Sequence, residues 1–154
     1  MSFFNTMNIA ATGLAAQRLR MDIIAENIAN VNTTRTAEWG PYRRKTVLFE
    51  EIRNNDPFSI VWESVFGTLS GTPALQGKGV RVTGIVQDPS PGLLSFDPTH
   101  PDADEYGYVR LPNVNIVEEM INMISASRSY EANITAMQNA RTLTQRTLEI
   151  GQGR

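Results

Sequence analysis

The cluster with the clearest chemical potential is the sequence HPDADE at positions 100–105. Its side chains include His100, Asp102, Asp104 and Glu105, which are residue types that bind divalent metal ions. The chain has no second histidine, and the sequence identifies no further ligands to complete a coordination sphere. Pro101 and the closely spaced acidic residues favour an acidic surface turn. We therefore predict that this cluster is structural.

No other segment predicts catalysis or cofactor binding. Residues 71–79 read GTPALQGKG, but five residues instead of four separate Gly71 from Gly77, and Gly79 replaces the serine or threonine that binds magnesium in a phosphate-binding loop. The absence of cysteine excludes a thiolate nucleophile and a Cys-containing zinc site. The basic run Arg43–Lys45 is interpreted as the solvated face of a strand. We predict no catalytic residue, no cofactor, no metal ion and no enzymatic activity.

Composition indicates a folded protein without a nucleic-acid partner. The chain has 154 residues, of which 41% are hydrophobic and 19% charged, and this length fits one domain, or a small domain with long helical appendages. A net charge of -2 provides no basic surface for phosphates. The first residues lack the basic and apolar regions of a secretory signal, and no apolar run is long enough to span a membrane. We expect neither a cleaved signal peptide nor membrane insertion.

The first segment, residues 1–34, has the pattern of an amphipathic helix. Apolar residues recur at seven-residue intervals, at Met7, Leu14, Met21 and Ile28, and the positions three residues after each are Ala10, Gln17, Ile24 and Val31. The pattern predicts a helix from about Thr6 to Asn30. Asn30 and Asn32 are expected to cap its end and turn the chain away.

The last segment, residues 113–154, predicts a longer helix with the same kind of stripe. Apolar residues at three- and four-residue spacing include Ile116, Met120, Met123, Tyr130, Ile134, Met137 and Leu148. Asn115 can cap the start, with Glu118 placed as in a capping box. Val117, Ile121 and Ile124 add a second apolar face, so the first half of this helix should contact more than one neighbour.

The middle of the chain, residues 35–112, has the composition of strands and turns. All eight prolines and eight of the 11 glycines lie between positions 40 and 112. Segments 42–49, 80–86, 92–96 and 106–111 predict short strands, expected to form one small antiparallel sheet. Residues 56–79 are interpreted as a loop or an insertion. The predicted fold class is α+β, with long N- and C-terminal helices that pack in a coiled-coil-like assembly and a small β-rich middle domain.

Pattern alone leaves two arrangements of the terminal helices open. They can form an intramolecular hairpin packed on the small sheet. They can also pair across subunits, in which case a contact that does not close would produce a filament.

Two long stretches resemble one protein family. The N-terminal TGLAAQRLRMDIIAENIANVNT, residues 12–33, resembles the signature of bacterial flagellar rod and hook proteins. The later DPTHPDADEYGYVRLPNVNIVEEMINMISASRSYEANI, residues 97–134, and PYRRKTVLFEE, residues 41–51, are similar to proximal rod members of that family. The motif residues that carry the resemblance are Ala29, Asn30, Asn32, Thr33, His100, Pro101, Asp102, Gly107, Tyr108, Val109, Pro112 and Asn113.

The resemblance implies a structural subunit of the flagellar basal body that polymerises through its terminal helices into the proximal rod and transmits motor torque. It also implies export through the flagellar type III apparatus and assembly in the periplasm. The implied partners are further copies of the chain, the rod proteins FlgB, FlgF and FlgG, and FliE. The assembly interface is then expected on the apolar stripes of the two helices.

Three alternatives remain at this point. The chain can be another rod protein such as FlgB, which shares the N-terminal signature but should lack Gly107–Val109 followed by Pro112–Val114. It can be a helical adaptor or chaperone outside the flagellum, with helices that are stable in isolation. A small metal-dependent enzyme centred on His100 would bind a divalent ion stoichiometrically.

Overall fold

The computed structural model describes residues 3–37, 40–52 and 78–151. Helices lie at both ends of this part of the chain, and short strands lie between them. In chain order the elements are α1 (Phe3–Ala29), β1 (Lys45–Glu51), β2 (Val80–Gln87), β3 (Leu94–Phe96), β4 (Tyr108–Arg110) and α2 (Ile116–Gly151). The predicted α+β class is confirmed. The predicted loop or insertion at 56–79 lies outside the described residues, apart from positions 78 and 79.

The two helices form an antiparallel pair within one chain. Near one end, Asn27 of α1 lies against Glu119 of α2, with 2.9 Å between the amide nitrogen and a carboxylate oxygen. Further along, Gly13 packs against the side chain of Asn133, so residue numbers run in opposite directions. At 1.5 Å per residue, the 27 residues of α1 span about 40 Å and the 36 residues of α2 span about 54 Å. The last two turns of α2 therefore extend beyond the start of α1.

Small residues form the contact between the helices. Ala10 and Ala16 of α1 are 6% and 3% exposed, and Ala126 and Ala140 of α2 are 0% and 9% exposed. Because a methyl group occupies little space, the two backbones approach closely along this contact. Of the two arrangements that the sequence left open, the single chain has the intramolecular hairpin.

The strands form two separate antiparallel pairs. β1 pairs with β2 from Lys45 opposite Gln87 to Glu51 opposite Val80, with an irregularity between Leu48 and Phe49. β3 pairs with β4 over three residues each. Every predicted strand overlaps an observed one, but the expectation of a single sheet is wrong for the described residues, which form two sheets of two strands. Pro89 and Pro91 interrupt the connection between β2 and β3, because proline cannot donate to a strand ladder.

The helix ends carry the caps that the sequence predicted at Asn30 and Asn115. The Asn30 amide donates to the Glu26 carbonyl at 2.9 Å and accepts from the Thr33 hydroxyl at 3.1 Å. At the start of α2, the Val117 N–H donates to the Asn115 side chain at 3.0 Å. These bonds satisfy backbone and side-chain groups where helical bonding ends. Asn32 is exposed.

The β1–β2 pair is attached to α1. Val47 of β1 is 7% exposed. It lies beside Ile23 and Ile24, two buried residues of α1. The Val80 N–H donates to the Thr12 hydroxyl at 3.3 Å. Next to it, Gly79 has φ +108°, and a Cβ there would lie 2.1 Å from the same hydroxyl oxygen, so only glycine fits this approach. Among the described residues, no helix is long and apolar enough to cross a membrane.

Candidate functional site

A buried polar junction joins α1, β1 and the first turns of α2. It consists of Asn27, Tyr42, Arg44, Lys45 and Glu119. Asn27 and Glu119 are each 1% exposed, which is unusual for an amide and a carboxylate. Such groups are tolerated in a protein interior only when their hydrogen bonds are satisfied.

Asn27 uses its full hydrogen-bonding capacity within this junction. Its amide nitrogen donates to the Lys45 carbonyl and to Glu119, each at 2.9 Å. Its amide oxygen accepts from the Tyr42 hydroxyl and from the Lys45 N–H, also at 2.9 Å. An asparagine side chain offers two donor hydrogens and two acceptor positions, and all four are occupied. A shift of α1 by one residue would leave several of these groups buried and unpaired, so the junction fixes the register of α1.

Glu119 and Arg44 form the charged part of the junction. One carboxylate oxygen of Glu119 accepts a hydrogen bond from Nε of Arg44 at 2.8 Å, and Nη2 of Arg44 lies 2.8 Å from the same oxygen as an ion pair. Nη2 also lies 3.4 Å from Glu118, whose side chain is 59% exposed. The interpretation of Arg44 as part of a solvated face is therefore wrong: its side chain, which comes just before β1, reaches Glu119 in the first turn of α2 and is only 24% exposed.

The junction continues into the segment before α2 through Asn113. The Arg44 N–H donates to the Asn113 side-chain oxygen at 2.8 Å. The Asn113 amide nitrogen then donates to the carbonyls of Asp88 and Ser90, at 3.2 and 3.1 Å. One motif residue thus ties the chain after β2 to the start of α2.

Tyr42 stays protonated over a wide pH range. Burial, together with the nearby carboxylates of Glu26 and Glu119, raises the pKa of its hydroxyl from 10.0 to about 12. The neutral hydroxyl is the form that can donate to Asn27. Lys45 pairs with Glu26, and its ammonium lies 5.6 Å from the centre of the Tyr42 ring, within reach of a cation–π contact.

The predicted interface residues of α1 lie mostly at the edges of the helix pair. Ile24 is 5% exposed and packs inside the chain. The others are half-buried, namely Met7, Leu14, Met21, Ile28 and Val31. Leu14 lies with Tyr130 of α2 along a shallow surface groove. Their role in assembly stays a prediction.

The structure divides the predicted stripe of α2 into two sets. The half-buried set faces α1 and comprises Met123, Tyr130, Ile134 and Met137. The exposed set comprises Ile116, Met120 and Leu148, at 45%, 54% and 61% exposure. The positions that complete the α1-facing side are Glu119, Ala126, Asn133 and Ala140, which repeat every seven residues. A search for large apolar residues overlooks them because they are small or polar.

A second apolar surface remains uncovered on α2, as the sequence indicated. We define the outer face of α2 as Val117, Met120, Ile121 and Ile124, which are 66%, 54%, 63% and 53% exposed. These residues lie on the side of the helix that faces away from α1. A contiguous exposed apolar surface of this kind is typical of an interaction site.

The far end of α2 carries a further set of uncovered apolar residues. We define the α2 tail as residues 143–151, in which Leu143, Leu148 and Ile150 are 66%, 61% and 79% exposed. Leu148 lies on the same side of α2 as Tyr130 and Met137. The antiparallel α1 begins at Phe3, which is not far enough along α2 to cover Leu148. The α1-facing stripe is therefore longer than the helix that covers it.

The 100–105 cluster uses its polar groups to shape the turn before β4. The side chain of Asp104 accepts from the backbone N–H groups of Tyr106 and Tyr108 at 3.0 and 2.8 Å. The His100 ring nitrogen Nδ1 accepts from the Asp102 N–H at 3.1 Å. Within residues 3–37, 40–52 and 78–151, no three His, Asp or Glu side chains lie together as a metal site would require.

This turn is also attached to the chain that follows α1. The Thr34 hydroxyl donates to the Asp102 carboxylate at 2.8 Å, and Arg35 lies 3.7 Å from the same carboxylate. Gly107 has φ +81°, which favours glycine, and the neighbouring Val109 is 2% exposed. Of the other motif residues, Pro112 is buried, Tyr108 and Ala29 are exposed, and Pro101 lies at the surface. The two motif regions thus meet in the folded chain.

Two family models match the ends of the chain. The model described as "Flagella basal body rod protein" matches residues 7–35, which comprise most of α1 and the turn after it. The model described as "Flagellar basal body rod FlgEFG protein C-terminal" matches residues 106–150, from β4 through α2. The matched segments therefore contain both helices of the hairpin.

Full-length relatives carry one shared description, flagellar basal-body rod protein FlgC. The protein of that description from Borreliella burgdorferi is 48% identical over 99% of this chain and 100% of its own length. The corresponding proteins of Bacillus subtilis and Salmonella typhimurium are 42% and 34% identical, with the same coverage.

Proposed function

This chain belongs to the FlgC family of flagellar basal-body rod proteins, and from that premise we propose that its helical hairpin is the unit that polymerises into the proximal rod. The chain is a structural subunit of the flagellar basal body. In the rod, its helices pack against those of neighbouring subunits, and the β-rich middle lies outside them. The function is mechanical, and the chain is not an enzyme.

One observation carries this proposal: α2 has apolar residues on opposite sides and α1 covers only one of them. Val117 and Ile121 are more than half exposed in the single chain. At about 25 cal/mol per Å² of apolar surface, covering such residues in an assembly is favourable, and leaving them in water is not. Neighbouring helices would complete the contacts that the single chain lacks.

The polar junction supports a role in torque transmission. The alanines at the helix contact offer little resistance to sliding of the two helices along their axes. Asn27 and Glu119 oppose such sliding, because any shift breaks hydrogen bonds that no water can replace at a site 1% exposed. A subunit that holds its register under load is suited to transmit the torque of a motor.

We also propose the neighbours of the chain and its location. We include further copies of the chain, FlgB, FlgF, FlgG and FliE among the partners, and place the rod in the periplasm after export without a cleaved signal. The match of residues 106–150 to the FlgEFG C-terminal model supports the proposed rod partners, because related C-terminal helices can pack in one common layer.

The proposal is tested by placing a charge on the outer face of α2. Ile121→Asp should fold, because residue 121 is 63% exposed, but should not enter the rod, because the interface would bury an unpaired carboxylate. Gln138→Asp puts the same charge on an exposed position of the same helix and is the matched control. Both would be expressed in a flagellated strain that lacks its own copy, with export, incorporation into purified basal bodies and motility as measurements. Normal incorporation of Ile121→Asp would contradict the proposal.

A further inference from the structure

We propose that the β3–β4 turn of one subunit, residues 97–107, docks through Glu105 at a cleft formed by Arg43 and Arg110 of a second copy of the chain. We call these surfaces the acidic turn and the arginine cleft. The inference rests on the proposed function, because it specifies how the β-rich middles of neighbouring copies meet when the chain polymerises. The contact uses neither helix.

The arginine cleft contains two cations without an acidic partner. It is a small surface cavity of about 60 Å³, lined by Arg43, two residues before β1, and by Arg110, the last residue of β4. Both arginines are exposed, and no carboxylate of the described residues pairs with either. Ser90 and Asn113 also line the cleft, but their polar groups bond within the chain. Two like charges on one cavity repel each other, so a carboxylate that enters between them is stabilised.

The acidic turn carries a carboxylate without a partner. Glu105 is exposed, and no described residue bonds to its side chain. The other acids of the turn accept hydrogen bonds within the chain, namely Asp97, Asp102 and Asp104.

The remaining charges of the middle are occupied inside the chain. The other acids among its described residues, Glu50, Glu51 and Asp88, all have partners. The same holds for its other arginines and lysines, namely Arg35, Arg44, Lys45, Lys78 and Arg81. Within the described part of the middle, the unpaired acid is therefore Glu105, and the unpaired cations are the two that share the cleft.

The single chain does not bring these charges together. The turn joins the strands where Phe96 pairs with Tyr108, whereas Arg110 pairs with Leu94 at the other end of the β3–β4 ribbon. A second copy can supply the missing carboxylate. Because the turn and the cleft are different surfaces, a copy that has docked its turn still offers its cleft to another copy, so the contact can repeat through a rod.

An uncovered apolar surface lies between the two charged ends of the ribbon. Leu94 and Phe96 lie on the same side of the ribbon as Tyr108, and these residues are 62%, 64% and 45% exposed. Next to Glu105, Tyr106 is 79% exposed. A protein interface commonly has an apolar centre and a polar rim. A docked turn would cover part of this surface, so apolar burial adds to the ion pair.

Charge reversal tests the contact in a flagellated strain that lacks its own copy. Full-length Glu105→Arg and Arg110→Glu each place like charges across the contact, and each should lower incorporation into purified basal bodies at least about tenfold. Both positions are exposed and unpaired, so circular dichroism should show the helical content of the wild type. The matched control is Arg81→Glu, which reverses an exposed arginine of β2 whose pair with Glu50 contributes little, and it should change incorporation by less than about twofold.

Expression of both variants in one cell identifies which chains pair. The turn of Glu105→Arg matches the cleft of Arg110→Glu, and the unchanged turn of the second variant matches the unchanged cleft of the first. The mixture should therefore restore incorporation. A contact within one chain would be restored by the double variant but not by the mixture, and that result would overturn the inference.

Two further results would count against the contact. Equal effects of Arg110→Glu and Arg81→Glu would overturn it, because the cleft would then have no special role. Normal incorporation of Glu105→Arg and Arg110→Glu alongside the wild-type chain would refute this contact alone. Absence of the wild-type chain from basal bodies would refute the proposed function as well.

Discussion

Replacing Glu119 by glutamine tests the polar junction most directly. The two side chains have nearly the same size, so the change removes the negative charge while leaving the packing intact. Glu119 is 1% exposed, accepts one hydrogen bond from Nε of Arg44 at 2.8 Å and one from Asn27 at 2.9 Å, and forms an ion pair with Nη2 of Arg44. A glutamine there presents one acceptor oxygen and one donor nitrogen to two groups that both donate.

The expected loss of stability follows from these contacts. Breaking a buried ion pair by removing one partner costs about 3–5 kcal/mol. Arg44 is 24% exposed and retains Glu118 at 3.4 Å, which lowers the cost on the arginine side. One buried donor, of Asn27 or of Arg44, then faces the glutamine nitrogen and loses its bond, at about 1–3 kcal/mol. We expect a total loss of about 3 kcal/mol, a large part of the 5–15 kcal/mol that is typical of a folded domain.

Glu118→Gln is the matched control. It removes the same charge one residue away, but the Glu118 side chain is 59% exposed and lies 3.4 Å from Arg44. An exposed pair of this kind contributes at most about 1 kcal/mol. The measurement is urea unfolding of the purified chain followed by far-ultraviolet circular dichroism, with the free energy of unfolding obtained by linear extrapolation.

A double-mutant cycle with Arg44→Gln identifies the source of the loss. If Arg44 and Glu119 stabilise the junction together, the double variant should lose less than the sum of the two single variants, with a coupling of at least about 1 kcal/mol. Equal losses for Glu118→Gln and Glu119→Gln would refute the assignment of the junction. Strict additivity in the cycle would show that the two side chains act separately.

Three further outcomes are expected. The folded-state pKa of Tyr42 is raised from 10.0 to about 12, so its contribution to stability should be complete below pH 10 and lost as the pH rises from 10 towards 12. Tyr42→Phe should remove that part of the pH dependence of the free energy of unfolding, measured by chemical unfolding. Ala126→Leu should cost about 1–3 kcal/mol by overpacking the helix contact, whereas Ala132→Leu on the exposed side should change stability by less than about 0.5 kcal/mol in the same assay. The Thr99 hydroxyl is the main cause of the lowered pKa of Asp97, so Thr99→Ala should raise that pKa towards its ordinary value and Thr99→Ser should not, as followed by NMR titration.

The terminal helices were predictable because their determinants are local. The seven-residue spacing in the first segment and the unbroken pattern from Ile116 onwards indicate helices whatever the rest of the chain does. Asn30 and Asn115 cap helix ends through groups only a few residues away. The strand positions were predictable for the same reason, since proline and glycine limit where strands can begin and end. The family resemblance also rests on continuous stretches of sequence.

The tertiary structure decided which residues meet. Asn27 and Glu119 are 92 residues apart in the chain, and no local pattern indicates that an amide and a carboxylate will be buried against each other. Arg44 belongs to a basic run of the kind that usually faces solvent, and it is paired only because the folded chain places it beside Glu119 at the start of α2. The side of α2 that contacts α1 was likewise undecided in the sequence, since this helix has apolar residues on more than one side. Close approach of the backbones selected the side with Ala126 and Ala140, because small side chains let two helices come together, and it left the larger apolar residues on the outer face.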